Sequence, residues 1–457
     1  MRSWTVGQAG WDKIPALPAR PTLLRILGLG FGIAVVIGGT IGVGILRTPG
    51  GVVARVGSEP LAIFLWVLGG AYSLLGAFAL AELSTMMPEA GGYLVYARRA
   101  FGPAIGFAVG WADLLVQCSA LAYLSIAVAE FTRAMWPALP SSTIIALSTL
   151  LLFALLHWAG LRLSSRAQEV MSALKTVGFV GLALACFLPI RPLPPIPPLL
   201  PTLPHGAGLA MAIVLGFQLV IGTYGGWAGA IYFTEEDTDP ARHLPRSLIG
   251  GVLIVAAIYL LVNLSLFAVL PIGRLAASTL PAADAAAVVF GARAGRIITL
   301  LSIVSLLGII NPILLIATRI VFALGRERDR AGRIAAVSVR GTPEAALFIV
   351  TAIAVVLVAT GTFEKLFATT AFFITVTYAS AMLALFALRR QEPQAVRPFR
   401  AWGYPWSVGL VLAGSIAFLV GAVAGDLANS AVALLLLAAN PLLFDLVARS
   451  RGSRPRT

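Results

Sequence analysis

The stretch VIGGTIGVGILRTPGG, residues 36–51, sets four glycines between Gly38 and Gly44 inside the first long apolar segment, then adds Arg47, Pro49 and Gly50. A plain spanning helix is not written this way. Glycine costs about 1 kcal/mol relative to alanine in a helix interior, and unpaired backbone at membrane depth is tolerated only where it lines a protein cavity or meets a ligand. Two readings fit. In one, the helix breaks here and its second half offers free amides to an anion such as a carboxylate. In the other, the glycines permit close helix packing through small-xxx-small spacing, which Gly28/Gly32 and Gly38/Gly42 also satisfy.

The rest of the chain supplies the membrane. Of 457 residues, 59% are hydrophobic and 11% charged, the signature of a polytopic membrane protein. Twelve segments are long and apolar enough to span: 24–53, 61–87, 105–136, 142–159, 167–188, 209–233, 247–270, 297–324, 345–360, 367–388, 408–423 and 428–446. The net charge of +14 does not point to nucleic acid, because its distribution explains it. With the amino terminus inside, the inner loops and tails hold 24 Lys and Arg, the outer loops 8, and Lys175 stands apart in a span. That bias puts both termini in the cytoplasm by the positive-inside rule, in a multi-pass protein expected in a prokaryotic plasma membrane.

A second glycine cluster repeats the first. The sixth span contains Gly222, Gly225, Gly226 and Gly229, and this break near residue 225 follows the one near residue 42 by about 180 residues. Five apolar segments begin with each. Glycine-interrupted spans at matching positions point to an inverted-repeat transporter with its site at the membrane midplane, which favours the broken-helix reading of both clusters. The expected organisation is therefore a tail (1–22), a five-helix repeat (23–189), a second inverted repeat (208–388), two additional helices (401–448) that could serve packing or a homodimer, and a short tail (449–457).

Polar groups inside spans are expensive and face the bundle interior. The third span carries Asp113, Gln117, Ser119 and Tyr123, and Asp113, just past Trp111, reads as a structural partner in the inner half. Lys175 lies eight residues into the fifth span, roughly 12 Å deep at 1.5 Å per residue, barely within snorkelling reach. Glu82, Arg98 and Arg99 read as interfacial charges paired at the inner mouth. His157, His205 and His243 are scattered near loops and read as interfacial rather than metal-binding. Cys118 and Cys186 fall in apolar segments, so neither a disulfide framework nor a thiol metal site is expected. No metal or cofactor is called for. The glycine run lacks the Gly-Lys-Ser/Thr of a phosphate loop, and no strand precedes Gly42-Val43-Gly44 as a dinucleotide fold requires. No nucleophile and base converge in the spans, so an enzyme is not expected. A filter loop or ring of charges, as a channel needs, is also missing.

With these residues in view, the chain resembles the amino acid–polyamine–organocation (APC) superfamily, most of all its L-type and related amino-acid transporters. The matching passages are GGTIGVGILRTP, AELSTMMPEAGGYLVYARRAFGPAIGFAVGW, TYGGWAGAIYFTEEDTDPARHLPRSL, NPILLIATRIVFALGRERD and RPFRAWGYPW. The resemblance implies a LeuT-like fold of five-plus-five helices with broken helices 1 and 6. It implies a substrate carboxylate on the amides of Gly42, Val43, Gly44 and Ile45, and an amino group on carbonyls of Thr40, Ile41, Thr223 and Tyr224, with Ser119, Gly225 and Trp227 nearby. Val43 replaces a common serine, Gly222 a bulky aromatic lid, and Ala228 an asparagine of the L-type branch. The cysteine that links an accessory chain is absent, so no disulfide-linked partner is expected. Lys175 matches a lysine that stands where sodium-coupled relatives bind a cation, implying sodium-independent exchange or proton-coupled symport. A neutral L-amino acid is favoured, because no acidic residue falls at the matched side-chain positions. The alternatives are a polyamine or cationic amino-acid carrier using Asp113, and a membrane sensor that binds without moving cargo.

Overall fold

The computed structural model describes residues 23–188, 205–328, 334–361 and 363–425. The twelfth expected span, both tails and most of the proline-dense loop at 191–205 lie outside the described residues. The described chain forms fifteen α-helices: α1 (Leu29–Thr40), α2 (Gly44–Val56), α3 (Glu59–Met86), α4 (Tyr93–Phe101), α5 (Pro103–Met135), α6 (Ser142–Trp158), α7 (Leu161–Ala185), α8 (Ala207–Tyr224), α9 (Pro240–Val269), α10 (Ile272–Ala277), α11 (Pro281–Phe290), α12 (Ala294–Arg328), α13 (Glu344–Thr360), α14 (Phe363–Gln391) and α15 (Trp406–Gly425). A 3-10 helix at Trp227–Phe233 continues α8. The proline at the head of α5, α9 and α11 is pre-set for helical φ and has no N–H to lose there.

Among the described residues, six helices are long and apolar enough to cross a membrane, or seven if the bent pair α1–α2 is one span. The twelve spans read from the sequence exceed this for physical reasons. At 17 residues each, α6 and α13 reach only about 26 Å, short of the roughly 30 Å hydrocarbon core. Meanwhile α7 carries Arg162, Arg166, Glu169 and Lys175. The large side chains these shorter helices turn outward are nevertheless apolar, as with Leu152, Leu155, Phe348 and Val356, the pattern of a lipid-facing surface.

The first span also begins later than expected. Residues 23–28 are extended, and Leu27 donates its amide to the Glu236 carbonyl (2.9 Å) and accepts from the Thr238 amide (3.0 Å). This parallel bridge, together with Arg25 Nε donating to the Asp237 carbonyl (3.2 Å), fixes the entry to α1 against the segment beyond the 3-10 helix.

Around α5 the central packing is made by α4, α12 and α14, while α9 lies against α1 and α3. One end of the bundle is tied by ion pairs, and it is called the basic face below. Arg319 of α12 makes a two-pronged bond to Glu236 (2.7 and 2.9 Å), both side chains buried. Arg326 reaches both oxygens of part-buried Glu235 from the single nitrogen Nη1 (2.8 and 2.9 Å), and that carboxylate also accepts from the Ala90 amide (3.0 Å). Glu82, Arg98 and Arg99 are each paired, though not with one another. Instead Glu82 is buried between Arg389 (2.9 Å) and Arg397 (3.1 Å), Arg98 meets Glu89 (2.8 Å) and Arg99 meets Glu392 (2.6 Å). Sequence spacing could not show this, because the partners lie up to about 300 residues away. The PEAGG passage folds under the 3-10 helix. Gly91 and Gly92 have φ of +120° and +54°, and a Cβ at Gly92 would sit 2.6 Å from the Tyr232 ring, so both conformation and space call for glycine.

Removing one partner of the Arg319–Glu236 pair strands a buried charge, which costs about 3–5 kcal/mol. Glu236→Gln should therefore lower the thermal unfolding temperature of detergent-purified protein sharply. The double variant Glu236→Leu/Arg319→Met should recover most of that loss, and a double variant as unstable as the single would show that the charge is not what makes it unstable.

Candidate functional site

The two glycine clusters are the places where helices stop. After Thr40 the chain leaves α1, and α2 begins at Gly44, bent by 49° from α1. Likewise α8 stops at Tyr224, passes through Gly225 and Gly226, and resumes as the 3-10 helix. The breaks touch through backbone. A Cβ at Gly39 would meet the Gly226 carbonyl at 2.9 Å, one at Gly226 would collide with the Gly39 carbonyl, and Gly226 has φ of +104°. No other residue fits that crossing.

Breaking α1 releases backbone groups of both kinds, and they meet different fates. The carbonyls at the end of α1 are taken by side chains from neighbouring helices. Lys175 Nζ donates to Gly38 (2.7 Å), Ile41 (2.9 Å) and Ser305 (3.3 Å), matching the three donors of an ammonium to three oxygens. Fully buried, it does not snorkel to an interface. Ser305 adds a bond to Ile41 (3.0 Å), and the Tyr259 hydroxyl reaches both Thr40 (2.9 Å) and Thr223 (3.0 Å). One turn back, Ser172 and Gln168 donate to the Ala34 carbonyl (2.7 and 3.1 Å).

The amides have no such partners. Those of Gly42, Val43, Gly44 and Ile45 make no hydrogen bond among the described residues. Gly44 is exposed and Val43 part-exposed, while Gly42 and Ile45 are buried. Free amides at a helix amino terminus carry the positive end of the helix dipole, so the arrangement is suited to an anion and not to a cation.

Of the remaining residues matched from the sequence, Thr223 lies beside the amides. Its hydroxyl donates to that of Thr48 in α2 (2.8 Å), and its methyl group would sit 3.3 Å from a Cβ at Gly44. Exposed Gly222 has open space where a lid side chain would stand. Tyr224 turns away to donate to the Trp66 carbonyl (3.1 Å), and Gly225 is part of the break. Trp227 is buried with its indole against Gly76 of α3 and Tyr378 of α14. Ser119 is buried in α5 and shares no hydrogen bond with either break among the described residues. The carbonyls of Thr40 and Thr223 each accept once, from Tyr259, and retain a second lone pair, whereas that of Ile41 already accepts from both Lys175 and Ser305.

His157 corrects the sequence reading. It is buried, its Nε2 lies 2.8 Å from Asn311 Oδ1, and Asn311 donates to Gln168 (2.9 Å), so it belongs to a polar chain between α6, α12 and α7. Its position near the helix end hid this, because burial there depends on α12 packing across it. Cys118 and Cys186 are free and buried. Among the described residues no cluster of His, Cys, Asp or Glu has the makings of a metal site. Sequence reasoning also passed over Tyr259 and Ser305, although a tyrosine and a serine in otherwise apolar runs are the signal by which intramembrane polar groups are found.

The family model described as amino acid permease matches residues 32–442. The chain is 27% identical to the serine/threonine exchanger SteT of Bacillus subtilis (strain 168) over 93% of its length and 98% of that protein. It is 29% identical to the b(0,+)-type amino acid transporter 1 of Homo sapiens, covering 84% and 80% of the two chains. Against the Asc-type amino acid transporter 1 of Mus musculus the identity is 28%, covering 83% and 73%. With the family model spanning nearly the whole bundle, the chain belongs to the amino acid permeases of the APC superfamily, a family of transporters and not of enzymes.

Proposed function

We propose that this protein is a secondary active transporter that carries a neutral L-amino acid by alternating access, in a five-plus-five inverted-repeat fold whose first and sixth spans are broken. The observation that carries the proposal is the asymmetry at the first break. Four amides stand free where α2 begins, whereas the neighbouring carbonyls are already engaged. A substrate carboxylate supplies the acceptor those amides lack. Asp113, the acid on which a cationic substrate would depend, is taken up by Tyr232 and Gln117, which supports a neutral side chain. SteT is named for serine and threonine exchange, and the free space at Gly222 and the hydroxyls of Thr48 and Thr223 suit small polar substrates of that kind. The ion pairs of the basic face, taken as cytoplasmic from the arginine bias, hold that side shut while exposed Gly44 and Gly222 leave the other approachable. Lys175 stands as a built-in cation at the break and takes the place of a sodium ion.

Counterflow into proteoliposomes, with labelled serine, threonine, alanine, arginine and putrescine, tests the substrate class. Neutral amino acids should exchange and putrescine should not compete. Competition by polyamines alone would overturn the neutral reading, and ligand-induced thermal stabilisation without counterflow would make the protein a sensor.

Gly44→Val would press a branched side chain onto Thr223 and into the space before the amides. Losing bonds to a charged group worth about 1.5–3 kcal/mol each should weaken substrate binding at least about tenfold in protein that still folds. Unchanged binding would return the glycines to helix packing.

Replacing sodium by choline should leave the exchange rate as it is, and strict sodium dependence would refute the role of Lys175 as the resident cation. Lys175→Ala should abolish exchange or alter its profile between pH 5 and 8. A variant that is less heat-stable but exchanges with the wild-type profile would make Lys175 a tether only.

A further inference from the structure

Among the described residues, buried acids follow a rule with one exception. Glu82 is held by two arginines and Glu236 by one, and buried Asp237 lies 2.7 Å from His243. Asp113 is as deeply buried, yet among the described residues no Lys, Arg or His lies within ion-pair distance of it. Its Oδ2 accepts from the Tyr232 hydroxyl (2.7 Å), and its Oδ1 accepts from Gln117 Nε2 (3.0 Å), one turn along α5. Beside it the Tyr93 hydroxyl is buried and makes no hydrogen bond, its ring edge-on to that of Tyr232 with centroids 6.0 Å apart.

Tyr93 of α4, Tyr232 of the 3-10 helix and Tyr378 of α14 are the titratable groups facing the carboxyl. His157 of α6 is taken by Asn311, and Arg319 of α12 by Glu236. Glu344 of α13 is exposed at that helix's first turn, Cys118 of α5 is a buried thiol, and Lys175 lies on the carbonyls of the first break.

We propose that Asp113 is a proton-binding site that fastens the 3-10 helix to α5 when ionised and releases it when protonated. Two opposing forces make either form tenable in one pocket. Burial without a cation works against the charge, and two donors aimed at the carboxylate work for it. Among the described residues, the bond to Tyr232 is the only hydrogen bond Asp113 makes outside its own helix. As a charge-assisted bond it is roughly twice as strong as the neutral one that replaces it when Asp113 takes a proton. The carboxylic acid then has a donor of its own and no longer draws on both Tyr232 and Gln117 as a charge does. The proton comes from water and returns to it, so nothing else is consumed. Because the 3-10 helix carries the chain from the second break to Glu235 and Glu236, loosening it from α5 frees that half of the sixth span to move. As a gate on transport the inference rests on the amino-acid reading. As a proton site it does not.

The test uses the full-length protein with Asp113→Asn and Tyr232→Phe. Thermal unfolding in detergent between pH 5 and 8, and counterflow of labelled serine over the same range, are measured for each. Wild type should show a pH-dependent component in both. Asp113→Asn, which keeps the shape of the carboxyl but cannot ionise, should lose it, with counterflow fixed at the rate wild type reaches in acid. Tyr232→Phe takes one of two donors from the carboxylate and should move the midpoint towards alkaline pH by about one unit, a tenfold change in proton affinity. The proposal is overturned if wild type shows no pH dependence, or if Asp113→Asn keeps it. Should Asp113→Asn fail to fold, an unmoved midpoint in Tyr232→Phe overturns it as well. If wild type exchanges no amino acid while its unfolding still follows the ionisation of Asp113, the transport reading fails and the proton site stands.

Discussion

A peptide group set loose inside an apolar layer must find a partner or a ligand, and most of this structure follows from that demand. Breaking α1 frees carbonyls and amides together. The carbonyls are met from three directions, by Lys175 of α7, Tyr259 of α9 and Ser305 of α12. Those bonds draw three helices onto a single point. The negative end of the α1 dipole is thereby given a cation of its own, as dipole electrostatics favours. The amides of the second half are left to whatever the molecule carries. Unpartnered amides and engaged carbonyls are the two sides of one break.

The same economy governs the basic face. Burying a charge is expensive unless it is paired, and there Glu82, Glu235 and Glu236 are each closed by arginines from α12 or from α14 and the loop after it. These pairs act between segments far apart in sequence, so they can hold that end of the bundle together only when α12 and α14 are both seated. Asp113 departs from the pattern by having hydrogen bonds in place of a cation.

How much of this was legible in the sequence depended on the range of the interaction. Glycine clusters and apolar length are local properties, and they located both breaks and the limits of most described helices to within a few residues. The matched passage around Gly42 pointed to amides, and amides without partners are what the fold places there. Contacts that close over hundreds of residues were not legible. Nothing near Glu82 announces Arg389, and nothing near His157 announces Asn311. Tyr259 lies between, since its hydroxyl in an apolar run was visible but its two acceptors, Thr40 and Thr223, appear only once the breaks cross. Helix length decided least, because α6 and α13 are apolar but only 17 residues each.

The crossing of Gly39 and Gly226 carries a mechanical meaning. Where two helices meet through interlocked side chains, turning one against the other means unpacking the join. At Gly39 and Gly226 the two segments meet with bare backbone on both sides, so no side chain is interlocked at that point. It is a bearing as much as a contact: backbone lies directly on backbone, and there the join carries no side-chain lock.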